Sequence, residues 1–125
     1  MNIKDVMNTD MLTVTPEATL REAAQQMSER NAGAALVFDR NRGSRPGIIT
    51  ERDVLNSVAA GQDPDGQSVA DNSTDDVVTV TADSSLEQAV EKMTEGDFRH
   101  LVVLHGEDAV GIVSMRDLVR GLTSQ

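Results

Sequence analysis

The chain is written twice. Thr13-Val14-Thr15-Pro16 recurs 66 positions later as Thr79-Val80-Thr81-Ala82. At the same offset Leu20, Ala23, Ala24 and Met27 recur as Leu86, Ala89, Val90 and Met93, and Ala35-Leu36-Val37-Phe38 aligns with Leu101-Val102-Val103-Leu104. Gly47-Ile48-Ile49-Thr50-Glu51-Arg52-Asp53-Val54-Leu55 recurs 64 positions on as Gly111-Ile112-Val113-Ser114-Met115-Arg116-Asp117-Leu118-Val119. The first copy therefore carries two extra residues. They fall in Arg40-Asn41-Arg42-Gly43-Ser44-Arg45-Pro46, a turn-rich stretch where insertion costs little loop entropy. A duplication this complete restricts the fold strongly, because one pattern must serve both copies.

Each copy reads strand, helix, strand, strand, helix, an α/β (α+β) pattern. The first helix carries apolar residues at i, i+3, i+4 and i+7, the stripe of a one-sided helix. A capping box opens it in both copies, Thr19 with Glu22 and Ser85 with Gln88. The middle strands are continuous apolar runs, which predicts burial on both faces. In the second helix the spacing predicts that Val54, Leu55 and Val58 point inward, with Leu118, Val119 and Leu122 as their counterparts. Gly61-Gln62-Asp63-Pro64-Asp65-Gly66 separates the copies and reads as a turn. A calcium loop starting at Asp63 would need Gly at position 6 and Glu at position 12, where Ser68 and Thr74 stand. The division is thus 1–62 for the first repeat with its N-terminal segment, and 63–125 for the linker and second repeat. A single copy of about 55–60 residues is marginal alone. Two βαββα repeats packed as one module with pseudo-twofold symmetry solve that difficulty.

Composition removes several classes of function. There are 21 acids against 11 bases, a net charge of −10, no cysteine, and only Phe38 and Phe98 as aromatics. Nucleic acid is not an expected partner: the counterion-releasing basic face and the stacking platforms are both missing. Disulfides, thiolate metal sites and cysteine nucleophiles are excluded. No 18-residue apolar window and no apolar leader are present, so no membrane partner is expected and the expected location is cytoplasmic. No Gly-x-Ser-x-Gly, P-loop or His-Glu-x-x-His motif occurs, so no catalytic residue and no enzyme activity is expected. Residues 1–62 hold 8 acids and 7 bases, and residues 63–125 hold 13 acids and 4 bases. That imbalance marks the second copy, with Asp75, Asp76 and Glu91, as a surface for an unidentified basic protein partner.

The polar residues repeated at one place are the informative ones, since core packing does not require them. They are Thr50-Glu51-Arg52-Asp53 and Ser114-Met115-Arg116-Asp117. A hydroxyl followed three residues later by an acid is a helix N-cap signature. It is also a ligand signature, because a helix N-terminus attracts anions and a carboxylate can accept both hydroxyls of a ribose. Arg52 and Arg116 precede the acids and carry forks suited to phosphate. His100 reads either as a satisfied strand-end residue or as a phosphate contact, and His105 as a solvated hairpin residue.

The two copies resemble the paired cystathionine-β-synthase (CBS) domains over approximately residues 7–60 and 70–122, and no attached catalytic domain is expected. The family's adenosine-binding signature, Gly-h-h-Thr/Ser-x-x-Asp with h apolar, is present in both. The resemblance implies a regulatory module that senses AMP, ADP, ATP or S-adenosylmethionine in clefts between the repeats, with no required cofactor and no metal. It implies one site built from Ile48, Thr50, Arg52 and Asp53 with Asp76, Val78, Phe98, Arg99 and His100. It implies a second from Ile112, Ser114, Arg116 and Asp117 with Asp10, Leu12, Ala32, Gly33 and Ala34. Asp53 and Asp117 would hold ribose. The first site would be the more cationic and would prefer phosphorylated adenosine. The resemblance also implies a homodimer. The alternative is a homodimeric protein-interaction module with no nucleotide ligand.

Overall fold

The computed structural model describes residues 1–40 and 45–124. Four residues of the stretch that holds the two-residue insertion, 41–44, lie outside the described residues. The chain forms two compact units: Leu12–Val77, here the first-repeat unit, and Met1–Met11 with Val78–Gln125, the second-repeat unit. These are not the linear halves expected from the repeat boundaries. The N-terminal eleven residues belong with the second repeat, and the linker belongs with the first.

The first-repeat unit runs β1 (Thr13–Val14), α1 (Leu20–Arg30), β2 (Ala34–Val37), β3 (Gly47–Thr50), α2 (Glu51–Ala59) and a short α3 (Val69–Asn72). The second-repeat unit holds a 3-10 turn (Ile3–Asp5), then β4 (Thr79–Thr81), α4 (Leu86–Gly96), β5 (His100–His105), β6 (Asp108–Ser114) and α5 (Met115–Thr123). The βαββα order expected from the sequence is present in both. Each sheet has three strands in chain order, the first pair parallel and the second antiparallel. The registers match at the repeat offsets: Leu36 faces Ile48, and Val102 faces Ile112.

Local sequence explains the helices. Thr19 Oγ1 accepts from Glu22 N–H at 3.1 Å, and Ser85 Oγ accepts from Gln88 N–H at 3.2 Å, so both expected capping boxes form. Leu20, Ala23 and Met27 on α1, and Leu86, Ala89 and Met93 on α4, are buried. Both helices end on a left-handed residue, Asn31 and Asp97, types that tolerate that conformation in place of glycine. The middle strands are buried as expected, with Ala35, Leu36, Leu101, Val102 and Val103 fully so. The linker is a turn: Gly66 N–H donates to Asp63 O at 2.9 Å, and Asp65 N–H to Asp63 Oδ1 at 3.0 Å. Asp65 also meets Arg21, whose guanidinium it raises further, first by hydrogen bonding and then by charge. No helix among the described residues is long and apolar enough to cross a membrane.

Two expectations need correction. Of the six apolar positions expected inward on α2 and α5, Val54 and Leu118 turn inward; Leu55 is 65% exposed, Val58 50%, Val119 50% and Leu122 37%. Each helix is docked along a narrow stripe, so the neighbouring apolar positions stay outside. The charge imbalance also disappears when residues are grouped by unit. The first-repeat unit holds 11 acids and 6 bases and the second-repeat unit 10 acids and 5 bases, a net −5 each. Asp63, Asp65, Asp71, Asp75 and Asp76 follow the first repeat in space, whereas Glu91 lies in the other unit. The acids assigned to a face of the second copy therefore divide between the two units.

The segments that precede the sheets explain the regrouping. Ile3, fully buried, lies in the second-repeat core, and Val69, fully buried, lies in the first-repeat core. Each burial stabilises its unit by roughly 1.5–3 kcal/mol. Ile3 N–H donates to Ser84 O at 2.9 Å, and Val69 N–H to Ala18 O at 2.8 Å. Further along, Asn8 pairs with Ile112 and Thr74 pairs with Ile48. The leading segment of each repeat thus completes the sheet of the other repeat. Two glycines permit the close approach. A Cβ at Gly47 would lie 2.9 Å from Thr74 O, and one at Gly111 would lie 2.8 Å from Met7 Sδ.

Candidate functional site

The two strand-to-helix turns are built alike. Thr50 is extended at the N-cap of α2; its N–H donates to Asp53 Oδ2 at 2.8 Å, and its Oγ1 accepts from Asp53 N–H at 3.3 Å. Ser114 does the same for α5, with N–H to Asp117 Oδ2 at 2.8 Å and Oγ accepting from Asp117 N–H at 3.1 Å. The capping role is real, and such a cap contributes about 1 kcal/mol. It engages one carboxylate oxygen, Oδ2, in both turns. Among the described residues Oδ1 is then the acceptor each turn can offer to a ligand hydroxyl. Both acids are half-buried, which keeps them accessible while limiting their hydration.

Each turn is held against the start of its own middle strand. Glu51 N–H donates to Gly33 O at 3.0 Å, and Ala34 faces Thr50 across the sheet. Met115 N–H donates to Arg99 O at 2.9 Å, and His100 faces Ser114. Within a unit, then, Ala32-Gly33-Ala34 flanks Thr50 and Phe98-Arg99-His100 flanks Ser114. The grouping that the resemblance implies takes each triplet from the other repeat instead. Asp76 shares a unit with Thr50, and Asp10 with Ser114, whereas Val78 lies in the unit of Ser114 and Leu12 in that of Thr50. The bridges that dock the leading segments explain the first two placements, since Thr74 pairs with Ile48 and Asn8 with Ile112. Leu12 O accepts from Leu36 N–H at 2.9 Å in the first-repeat unit, and Val78 O accepts from Val102 N–H at 3.4 Å in the second.

Within the units the cations divide unevenly between the two turns. The second-repeat turn gathers Arg99, His100 and Arg116, of which both arginines are exposed and His100 is half-buried. The first-repeat turn has Arg52, exposed, beside a triplet with no cation. Phe98 is 39% exposed and lies over Gly96, where a Cβ would overlap its ring. His105, at the end of β5, is exposed in the hairpin, as expected. A shallow hollow lined by Pro16, Val37, Asp39, Ala70, Ser73 and Asp75 lies at the Val37–Gly47 end of the first-repeat sheet, away from Thr50. Its two carboxylates disfavour an anion.

The sequence reading missed the roles of Gly47, Gly111, Asn8 and Thr74. A signal was available. At the offset of 66, Ile3 matches Val69 and Asp5 matches Asp71, so the repeat begins further upstream than residues 7 and 70.

Comparison with known proteins agrees with that longer extent. The family model for the CBS domain matches residues 3–60 and 69–124. The chain is 35% identical to the CBS domain-containing protein YhcV of Bacillus subtilis over 119 residues, covering 94% of this chain and 82% of that protein. A crystal structure of a CBS-domain protein from Agrobacterium tumefaciens superposes with a TM-score of 0.89 at 34% identity, covering 98% of this chain and 99% of that one. A CBS domain protein of Pyrobaculum aerophilum complexed with AMP superposes with a TM-score of 0.84 at 26% identity, over the full length of both chains. With two matched repeats and this coverage, the chain belongs to the CBS domain family.

Proposed function

We propose that this protein is a non-catalytic regulatory module that binds adenosyl nucleotides at its strand-to-helix turns. The observation that carries the reading is the repeated turn itself. Thr50 and Asp53, and again Ser114 and Asp117, present a half-buried carboxylate at a helix N-terminus, with one oxygen used for the cap. Ribose hydroxyls suit the other oxygen, and backbone N–H groups with nearby arginines suit phosphate. The AMP bound by the Pyrobaculum relative supports this choice of ligand.

The two turns differ in ligand. Arg99, His100 and Arg116 equip the Ser114 turn for a phosphorylated adenosine. The Thr50 turn, beside Ala32-Gly33-Ala34, suits a less charged ligand such as S-adenosylmethionine. Ligand binding regulates by favouring one arrangement of the protein over another. The working form is a homodimer, because the exposed apolar residues of α2 and α5 require cover. That observation also favours the second reading, a homodimeric interaction module with no nucleotide.

Isothermal titration of ligand-free protein with AMP, ADP, ATP, GTP and S-adenosylmethionine tests the proposal. Saturable binding of an adenine nucleotide, abolished in the Asp53→Ala/Asp117→Ala double variant, is expected. Heat that is flat for the whole panel in folded protein leaves only the interaction module.

A further inference from the structure

We propose that Asp65 is a site of spontaneous conversion to isoaspartate, and that Arg21 restrains the conversion while the first-repeat unit is folded. Asp65-Gly66 is the one Asp-Gly step in the sequence, which has no Asn-Gly step. Both residues are exposed, in the turn between α2 and α3. In such a step the Gly66 amide nitrogen attacks Asp65 Cγ. The N–Cγ bond forms, and the carboxyl hydroxyl leaves with the amide proton as water. Water then adds at the Asp65 main-chain carbonyl carbon, and the bond from that carbon to the Gly66 nitrogen breaks. The chain now runs through Cγ, one carbon longer, and the mass is unchanged.

Two bonds of the turn oppose the attack. Gly66 N–H is committed to Asp63 O at 2.9 Å, and Arg21 Nε donates to Asp65 Oδ1. The ion pair holds the carboxylate in one direction, and its loss frees Cγ to approach the amide nitrogen. Glycine at 66 serves the reaction more than the fold. A Cβ there would lie 3.6 Å from Asp63 O, an ordinary contact, whereas any side chain hinders the attacking nitrogen.

The product does not fit the turn. Arg21 N–H donates to Pro64 O at 3.2 Å and Leu20 N–H to Gln67 O at 3.0 Å, so consecutive helix residues grip the chain on both sides of Asp65-Gly66. Thr19 and Ser68 pair just beyond. An added carbon between the grips spoils their spacing, and the carboxylate moves off Cγ and away from Arg21. Conversion therefore loosens the N-terminal end of α1 and the start of α3. The second-repeat unit has no such step. The reaction is slow and needs only water, so the converted fraction records the age of the first-repeat unit. None of this depends on a nucleotide or on self-association.

Folded protein is aged in warm, mildly acidic buffer and digested, and isoaspartate is located by electron-transfer fragmentation. It is expected at position 65, with far less at Asp83, where Ser84 follows. Arg21→Ala should convert about two- to fivefold faster, the effect of one exposed ion pair, with thermal unfolding unchanged. Gly66→Ala should fold and convert at a small fraction of the rate. No isoaspartate at position 65 of the aged protein, or equal rates with and without Arg21, overturns the proposal. Converted protein, separated by ion exchange, should exchange amide hydrogens faster at Leu20, Arg21 and Val69 and unchanged in β4–β6. Unaltered exchange at those three residues overturns the effect on the turn.

Discussion

Glu51 donates its N–H to Gly33 in one unit, and Met115 donates its N–H to Arg99 in the other. The two turns share backbone, cap and register, yet one is flanked by Ala32-Gly33-Ala34 and the other by Phe98-Arg99-His100. Duplication preserved what the fold needs, namely the cap acid, the strand pairing and the glycines under the leading segments. The positions beside the turn carry no such requirement, since a backbone carbonyl serves the hydrogen bond whatever its side chain. They were free to diverge, and the difference in charge between the turns arises there.

The largest effects should separate the units themselves. Ile3→Ala removes a fully buried side chain from the second-repeat core and should cost about 2–5 kcal/mol. Val69→Ala should cost roughly 1.5–3 kcal/mol in the first-repeat unit. Hydrogen exchange should show Ile3→Ala lowering protection first in β4–β6, and Val69→Ala first in β1–β3. The reverse pattern would break the assignment of leading segments to opposite repeats.

Asp53→Ala and Asp117→Ala bear on the turns. Each should lose about 1 kcal/mol of stability through the cap, by similar amounts in urea unfolding. Their effects on ATP affinity should differ: on the order of tenfold or more for Asp117→Ala, read by calorimetry, and much less for Asp53→Ala. Equal losses would remove the asymmetry between the units.

Arg99→Ala sharpens the comparison at a single side chain. It should weaken ATP binding several-fold and AMP less, because a longer phosphate chain makes more use of the guanidinium. Grafting the cation by Gly33→Arg should raise ATP affinity at the Thr50 turn in an Asp117→Ala background. The smallest effect is expected for Arg21→Ala. Its pair with Asp65 lies on the surface, and thermal unfolding should be unchanged.

Much of this was legible in the chain. The helix stripes of Leu20, Ala23 and Met27 and of their counterparts, the capping boxes, and the hydroxyl and acid of each turn all operate within a few residues. Spacing alone reports them. The duplicated Gly-h-h-Thr/Ser-x-x-Asp pattern identified the same turns that the structure caps. Leu55, Val58, Val119 and Leu122 were misread because periodicity gives the direction of an apolar face, not whether anything within the chain covers it.

The sequence by itself determined that one βαββα pattern is used twice, and which residues cap its helices. Only the tertiary structure decided that Ile3 belongs with Val113 and Val69 with Ile49, that Arg99 stands beside Ser114, and that the acidic linker balances the two units at −5 each. The physical reason is range. Capping and periodicity are settled between neighbours in the chain. The cover of a sheet is settled by whichever distant segment buries apolar surface there while pairing the exposed backbone groups, and in this protein that segment comes from the other repeat.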